Sequence, residues 1–591
     1  MRKKTKNNCK GSAMKDTKSY QSGHPNPRFY RPSWRTLNGS WSFVFDDENI
    51  GVKEAYFNRF PQQHLTINVP YAYESPRSGI DDKSEHNILW YRTSFSHHSS
   101  EKTLLLHIEK SDYLTTVYLN GYLVGEHQGG YDAFSLVLTP FVKEGLNDLV
   151  IRMYDSKDAR QLRGKQTWKE TPFECFYHGT SGIYGDVWLE EVDPSYVKHV
   201  ELFPSFSSKS ILTKMDFSVE SIGKSVEIAV YFNETLLAKK QMLVSKTTEQ
   251  MTLELPEPLH LWRVDQPQLY DVEIKLDSNG ILCDKVLTYF GINSPSIDGK
   301  NICFNGTPLF LKLVLDQGYF HQGDLTGTEA DYLVDISYLK KAGFNGVRKH
   351  EKIESNLFFY LADREGLLNW LELPSPHLFD EMESNNIANQ WERIVRQHLS
   401  SPSLMAYVCY NESWGVHQIK NDEKQQKFAT RLYYEIKQID PNRFVISNDG
   451  WEHTISDLLT VHNYQESKED LLKTYAPMME NLRTLGNSAA NETRMCYADG
   501  YRYRNEPIVL SEFAGIALDT NTNEGWGYGK AAIGVDGFAK KLQGQIEAIY
   551  ESGNFSGYCI TQLTDVYQEK NGLLTQDRQI KISPEILRKI I

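Results

Sequence analysis

Leu404-Met405-Ala406-Tyr407-Val408-Cys409-Tyr410-Asn411-Glu412-Ser413-Trp414-Gly415 is an apolar run that ends on a carboxylate. The pattern returns in Pro507-Ile508-Val509-Leu510-Ser511-Glu512-Phe513-Ala514-Gly515, 100 positions on by the separation of the two glutamates. Neither run alternates polar with apolar, so each predicts a strand buried on both faces, as in the parallel sheet of an α/β barrel. A carboxylate at the carboxyl end of such a strand stands where barrel enzymes place catalytic groups. Cleaving a glycosidic bond needs two carboxyls, one to protonate the leaving oxygen and one to attack the anomeric carbon. A single Glu more often just closes a strand at a solvated rim. The repetition, with Asn411 ahead of the first, favours catalysis.

The rest of the chain after Gly291 fits this reading. Strand-like runs fall at 309–315, 343–348, 367–373, 404–410, 443–447, 458–464, 507–512 and 557–563. Eight is the number that closes a (β/α)8 barrel. Amphipathic helices lie between them: Thr328 caps one bearing Tyr332, Leu333, Ile336 and Leu339. Phe428, Leu432, Ile436 and Ile439 mark a second, and Phe538, Leu542, Ile546 and Ile549 a third. Only ten residues separate Ser447 from Leu458, too few for a helical crossover, so the barrel should be irregular there. Upstream, 28–192 shows short strands broken by turn residues, including an Asn120-Gly121 hairpin signal, and predicts a jelly-roll sandwich. Residues 193–290, with strands about ten residues apart, predict a small immunoglobulin-like sandwich. Residues 291–591 are then the barrel, and 1–27 read as a disordered leader.

Composition narrows the partners. A net charge of −13 without a long basic run argues against nucleic acid. No stretch of 18 apolar residues exists to span a membrane, and the basic amino end lacks the apolar segment of a signal peptide. Seven scattered cysteines, without CxxC spacing, suit reduced thiols in the cytoplasm. Aromatic residues make up 12% of the chain, and their faces suit the C–H faces of sugar rings as well as ordinary core packing. The expected partner is a small oligosaccharide or glycoside, with a homo-oligomer left open. No metal or other cofactor is called for.

The chain from about residue 28 onward resembles the family 2 glycoside hydrolases, which include β-galactosidases, β-glucuronidases and β-mannosidases. The resemblance rests on Tyr118-Leu119-Asn120-Gly121, Gly129-Gly130-Tyr131-Asp132-Ala133-Phe134 and Thr180-Ser181-Gly182-Ile183-Tyr184-Gly185-Asp186-Val187-Trp188. In the barrel it rests on Leu315-Asp316-Gln317-Gly318, Phe344-Asn345-Gly346-Val347-Arg348-Lys349-His350, Leu373-Pro374-Ser375, Asn411-Glu412-Ser413-Trp414-Gly415, Asn448-Asp449-Gly450-Trp451, Ser511-Glu512-Phe513 and Thr561-Gln562-Leu563-Thr564-Asp565. It implies a sandwich, an immunoglobulin-like domain and a barrel, in that order. It also implies Glu412 as general acid/base, Glu512 as nucleophile and Asn411 as the ligand of the sugar 2-hydroxyl. Arg348 and Tyr464 are placed to hold Glu512 as an anion. Asp316, His350, Glu372, His462, Asp449, Trp451, Trp526 and Asp565 fall at strand ends or in loops on the presumed active face and are candidates for binding sugar.

Departures bear on the sugar. Tyr407 and Tyr184 stand where relatives usually have Trp, and Tyr567 where they often have Glu. The family's β-glucuronidases carry an Asn-x-Lys pair that grips the uronate; the matching residues here are Glu569-Lys570-Asn571. A Glu there repels a carboxylate, which ranks a neutral hexopyranoside, β-galactoside first, above a glucuronide, with Arg502, Arg504 or Lys570 as substitute cations for an acidic sugar. A mannosidase, an arabinosidase or a non-catalytic carbohydrate-binding protein are the remaining readings. No spacing demands Mg²⁺ or Na⁺.

Overall fold

The computed structural model describes residues 16–98, 100–519 and 525–591. Eight parallel strands form one sheet: β1 (Leu311–Asp316), β2 (Gly346–Lys349), β3 (Leu368–Glu372), β4 (Leu404–Val408), β5 (Phe444–Ile446), β6 (Leu459–His462), β7 (Ile508–Ala514) and β8 (Phe555–Thr561). Their order is β5-β4-β3-β2-β1-β8-β7-β6, a nearly closed barrel whose one unpaired seam lies between β5 and β6. That seam is where the missing crossover helix was expected. Side chains close it instead: Val445 N–H donates to the Asp457 carboxylate at 2.8 Å and Ser447 N–H to Ser456 Oγ at 2.9 Å.

Both faces of the strands are buried, which is why their sequences do not alternate. Leu313, Leu315, Trp370, Met405, Val408 and Cys559 fill the barrel interior. Val314, Val347, Leu371 and Tyr407 face outward into the helical layer. Helix α1 (Glu329–Ala342) begins with the expected cap, Thr328 and Asp331 bonding each other's backbone N–H. Helices α2 (Asn356–Glu365), α3 (Glu383–His398), α4 (Glu423–Ile439), α5 (Lys468–Leu485), α6 (Gly534–Ser552) and α7 (Pro584–Ile590) complete the layer. β4 ends two residues short of the apolar run because the chain turns there: Glu412 and Ser413 adopt φ of 51° and 61°.

Ahead of the barrel stand two antiparallel sandwiches. The first pairs a four-stranded with a six-stranded sheet around Trp41, Phe43, Leu89, Tyr91 and Ile151; the second pairs three strands with four around Val226, Ile228, Tyr270 and Ile274. The expected disordered leader needs correction. Residues 1–15 lie outside the described residues, but 16–27 pack on the body. Tyr20 stacks on Tyr360 at 4.9 Å and donates to Glu329 at 2.6 Å, while His24 is buried against Trp34. Lone aromatic and His residues in a polar stretch have no periodicity to announce such packing.

Two of the several contacts that join the domains are buried at their junctions. Arg31 is buried, donating to Glu190 of the first sandwich at 2.8 Å and to both oxygens of Asp284 in the second at 2.9 and 2.8 Å. A loop of the first sandwich also docks on the barrel beyond β3, where Gly164 N–H donates to Ser375 O at 3.0 Å and His377 N–H to Ala159 O at 2.7 Å. Gly164 has a φ of 56°, and a Cβ there would lie 2.3 Å from the Glu351 carbonyl oxygen, so no other residue fits. Replacing Arg31 with Met leaves two buried carboxylates without their counter-ion and should cost about 3–5 kcal/mol. Thermal unfolding followed by calorimetry should show the sandwich transition moved down and separated from that of the barrel; an unchanged trace would refute this.

Candidate active site

Arg348 organises the carboxyl ends of the strands. It lies in register with Leu315 and Trp370, so it points into the barrel. Its guanidinium, fully buried, donates to Glu372 at 2.6 Å, Glu512 at 2.9 Å and the Asn411 side-chain oxygen at 2.7 Å, with Asp449 2.7 Å away. Burial alone would weaken the cation, but Asp449, Glu372 and Glu512 hold its pKa well above the usual value. With its oxygen taken by Arg348, Asn411 turns its amide N–H groups to the remaining space.

Glu512, on β7, receives Arg348 on one oxygen and the Tyr464 hydroxyl at 2.6 Å on the other. Burial would raise its pKa, yet His462, Arg348 and His350 together with the Tyr464 bond hold it below the usual carboxylate value. Glu512 is therefore an anion at neutral pH. His462, ending β6, reaches Glu412 at 2.7 Å through Nδ1 and Asp449 at 3.2 Å through Nε2. Burial disfavours its charge, but Glu512, Asp449 and Glu412 carry its pKa up to about 10. One oxygen of Glu412, one of Glu512 and a ring nitrogen of His462 all lie within 4.8 Å of one another. The Glu412 side chain is 21% exposed against 6% for Glu512. Of the pair, Glu412 is the one open to solvent.

Glu412 and His462 border a cavity of about 660 Å³, lined also by Trp451, Asn463, Tyr464 and Tyr528. The size suits a small ligand. Tyr528 stacks on Tyr464 at 3.6 Å and so stiffens the hydroxyl that holds Glu512.

Of the residues singled out from sequence, the structure gathers Arg348, His350, Glu372, Asn411, Glu412, Asp449, Trp451, His462, Tyr464 and Glu512. His350 Nδ1 is 2.9 Å from Glu372 and 4.0 Å from Glu512. Three candidates lie elsewhere. Asp316 is in register with Lys349 on the outward face of β1 and β2, where the two form an ion pair; a strand's alternation sends it away from the site. Asp565 accepts Gly572 N–H at 2.9 Å and Lys581 at 2.7 Å, shaping the chain after β8. Trp526 sits edge-on against Tyr528 at 5.5 Å, one residue back from the cavity.

Of the suggested cations for an acidic sugar, one is paired elsewhere and the stems of the other two pack on glycines. Arg504 pairs with Glu506 at 2.9 Å, Arg502 packs against Gly486 beyond α5, and Lys570 lies along Gly525. Both oxygens of Glu569 are engaged inward, one by Tyr177 at 2.5 Å and Gln317 at 3.1 Å, the other by Asn571 at 3.1 Å. Sequence reading missed Tyr528, for which the run Gly525-Trp526-Gly527-Tyr528-Gly529 offered a signal, and Tyr177, for which nothing did.

Two sandwiches followed by a parallel barrel that gathers paired glutamates at its strand ends define a multidomain protein of the glycosyl hydrolase type. Residues 34–192 match the family described as "Glycosyl hydrolases family 2, sugar binding domain" and residues 196–292 match "Glycosyl hydrolases family 2". By these matches the two sandwiches are domains of glycosyl hydrolase family 2. A β-galactosidase of Thermoanaerobacter pseudethanolicus is 25% identical over 400 residues, covering 64% of this chain and 50% of that protein. A β-glucuronidase of Paenibacillus borealis is 23% identical over 604 residues, covering 94% of this chain and 96% of that protein. The chain spans about half the length of several curated relatives it matches. The solved β-glucuronidase of Ruminococcus gnavus, in complex with D-glucaro 1,5-lactone, superposes with a TM-score of 0.77 at 17% identity, covering 95% of this chain and 98% of that one. At that identity the likeness shows a shared fold.

His462 gives the site a pH signature. Its pKa is raised above the usual 6.5 to about 10, so its charged form stabilises the fold fully below pH ~6.5 and that contribution is lost as pH rises toward 10. Melting temperature should therefore fall more steeply between pH 7 and 10 in the wild type than in His462→Gln. Parallel curves would exclude a charged His462.

Proposed function

We propose that this protein is a retaining exo-β-glycosidase that hydrolyses terminal β-hexopyranosides by double displacement. The observation that carries the reading is the close approach of Glu412 and Glu512, their oxygens within 4.8 Å of each other. Carboxyl groups about 5–5.5 Å apart suit attack by one of them, whereas inversion needs roughly 6.5–9.5 Å to admit a water. Glu512, held ionised by Arg348, His462 and Tyr464, is the nucleophile. Glu412, open to the cavity, protonates the leaving oxygen and later draws a proton from water. The 2.7 Å bond to His462 keeps a proton at hand for that role. The free N–H groups of Asn411 meet the sugar 2-hydroxyl, a bond that tightens as positive charge grows on the ring.

Two readings of the sugar rest on separate observations. A β-galactoside follows from Glu569, whose charge disfavours a neighbouring carboxylate. A β-glucuronide is favoured by the engagement of both Glu569 oxygens by Tyr177, Gln317 and Asn571, which turns that charge away from the cavity. Nitrophenyl β-glycosides of both sugars, assayed on the purified protein, separate them directly.

The roles of the glutamates are tested by substitution. Glu512→Ala should abolish turnover while leaving the melting temperature near that of the wild type. Glu412→Ala should lose about 10²–10⁴-fold in kcat/KM on alkyl glycosides and far less on dinitrophenyl glycosides, whose leaving group needs no proton. Azide should restore its second step and yield the β-glycosyl azide. Equal losses on both kinds of leaving group, or an α-glycosyl azide, would remove Glu412 from the acid's role.

A further inference from the structure

Lys165 comes from the first sandwich, on the loop that Gly164 seats against the barrel. It is 7% exposed, and its Nζ stands 4.5 Å from the centre of the Trp414 ring, two residues past Glu412. The Trp414 ring lies 6.1 Å from His350, which in turn reaches Glu512. On the other side, Tyr177 N–H donates to the Lys165 carbonyl at 2.8 Å, and the Tyr177 hydroxyl holds Glu569. Lys165 is thus fixed in the wall between the proposed nucleophile and Glu569.

Its charge has no close counter-ion. Among the described residues no carboxylate lies within 4.0 Å of Nζ. Cys175 nearby and Glu569, Glu512 and Glu351 from farther away raise its pKa against the penalty of burial. An ammonium has three donors, and a buried cation without a paired anion is costly. Arg348 is already shared among several acceptors, and Arg504 is paired with Glu506. Lys165, with no carboxylate at hand among the described residues, has capacity left.

We propose that Lys165 is a specificity-determining residue that receives an anionic substituent on the sugar ring, the carboxylate of a hexuronide. The inference rests on the glycosidase reading, since only a sugar seated for attack by Glu512 would bring its ring substituents to this wall. Specificity would then be set partly by the sandwich domain.

The test compares sugars that differ only at C6: nitrophenyl β-glucuronide against β-glucoside, and β-galacturonide against β-galactoside. In the wild type kcat/KM should favour the uronide of at least one pair. Lys165→Met should lower that preference by about 10- to 100-fold, the scale of a lost hydrogen bond to a charged group. Lys165→Arg should recover part of it. A merely structural Lys165 would lower both members of a pair alike, and that result, or a wild-type preference for both neutral sugars, overturns the proposal. Calorimetric binding of glucuronate and glucose is the independent arm. Should no glycoside turn over, the glycosidase reading fails, while tighter glucuronate binding that is lost in Lys165→Met still supports the role of Lys165. Equal binding of the two sugars would end it.

Discussion

A single guanidinium holds this site together. Arg348 lies in the barrel with no exposed surface, and three carboxylates and an amide converge on it. Carboxylates packed this closely repel one another, and in a dry interior they would take up protons. The cation reverses that tendency, keeping Glu512 ionised and Asn411 turned with its N–H groups outward. His462 adds a second positive charge between Glu412, Asp449 and Glu512. Two cations set among four acids leave an electrostatic field in which the paired glutamates differ. One is fixed and charged, the other near solvent and next to a proton.

The backbone supports this asymmetry. Glu512 lies within β7, where the pairing with both neighbouring strands slips, its carboxylate tethered at both oxygens. Glu412 lies just past a strand that has ended, in a turn where two successive non-glycine residues take left-handed φ. Such conformations cost of order 1–3 kcal/mol each and persist where the surroundings hold them. Here Glu412 N–H bonds the Asp449 carbonyl at 2.9 Å and Ser413 N–H bonds the Asn448 side chain at 2.9 Å. The loop after β5 thus braces the turn after β4.

Much of this was readable from residue order. The eight strands, the helices with their apolar faces and the irregular link before β6 follow from periodicity and length, because burial on both faces leaves unbroken apolar runs. The strand-end residues Arg348, Asn411, Glu412, His462 and Glu512 were visible for the same reason. Asp316 was misplaced because residues one step apart on a strand face opposite ways, and a residue's place at a strand end does not reveal its face. Asp565 was misplaced because loop geometry has no period at all. Lys165 and Tyr177 were invisible because they reach the site from another domain, more than 180 residues ahead of Arg348 in the case of Lys165 (348 − 165). The packing of residues 16–27 was missed likewise.

The close approach of Gly164 to the Glu351 carbonyl bears on descent. At that point the sandwich and the barrel touch backbone to backbone, with no side chain to trim or enlarge in compensation. Drift in either loop must be matched by the other, so the two domains are inherited as one unit. Exchanging amino-terminal sandwiches between distant members of the family would transplant a wall of the pocket along with the domain, and the seam would close only where the recipient loop already fits.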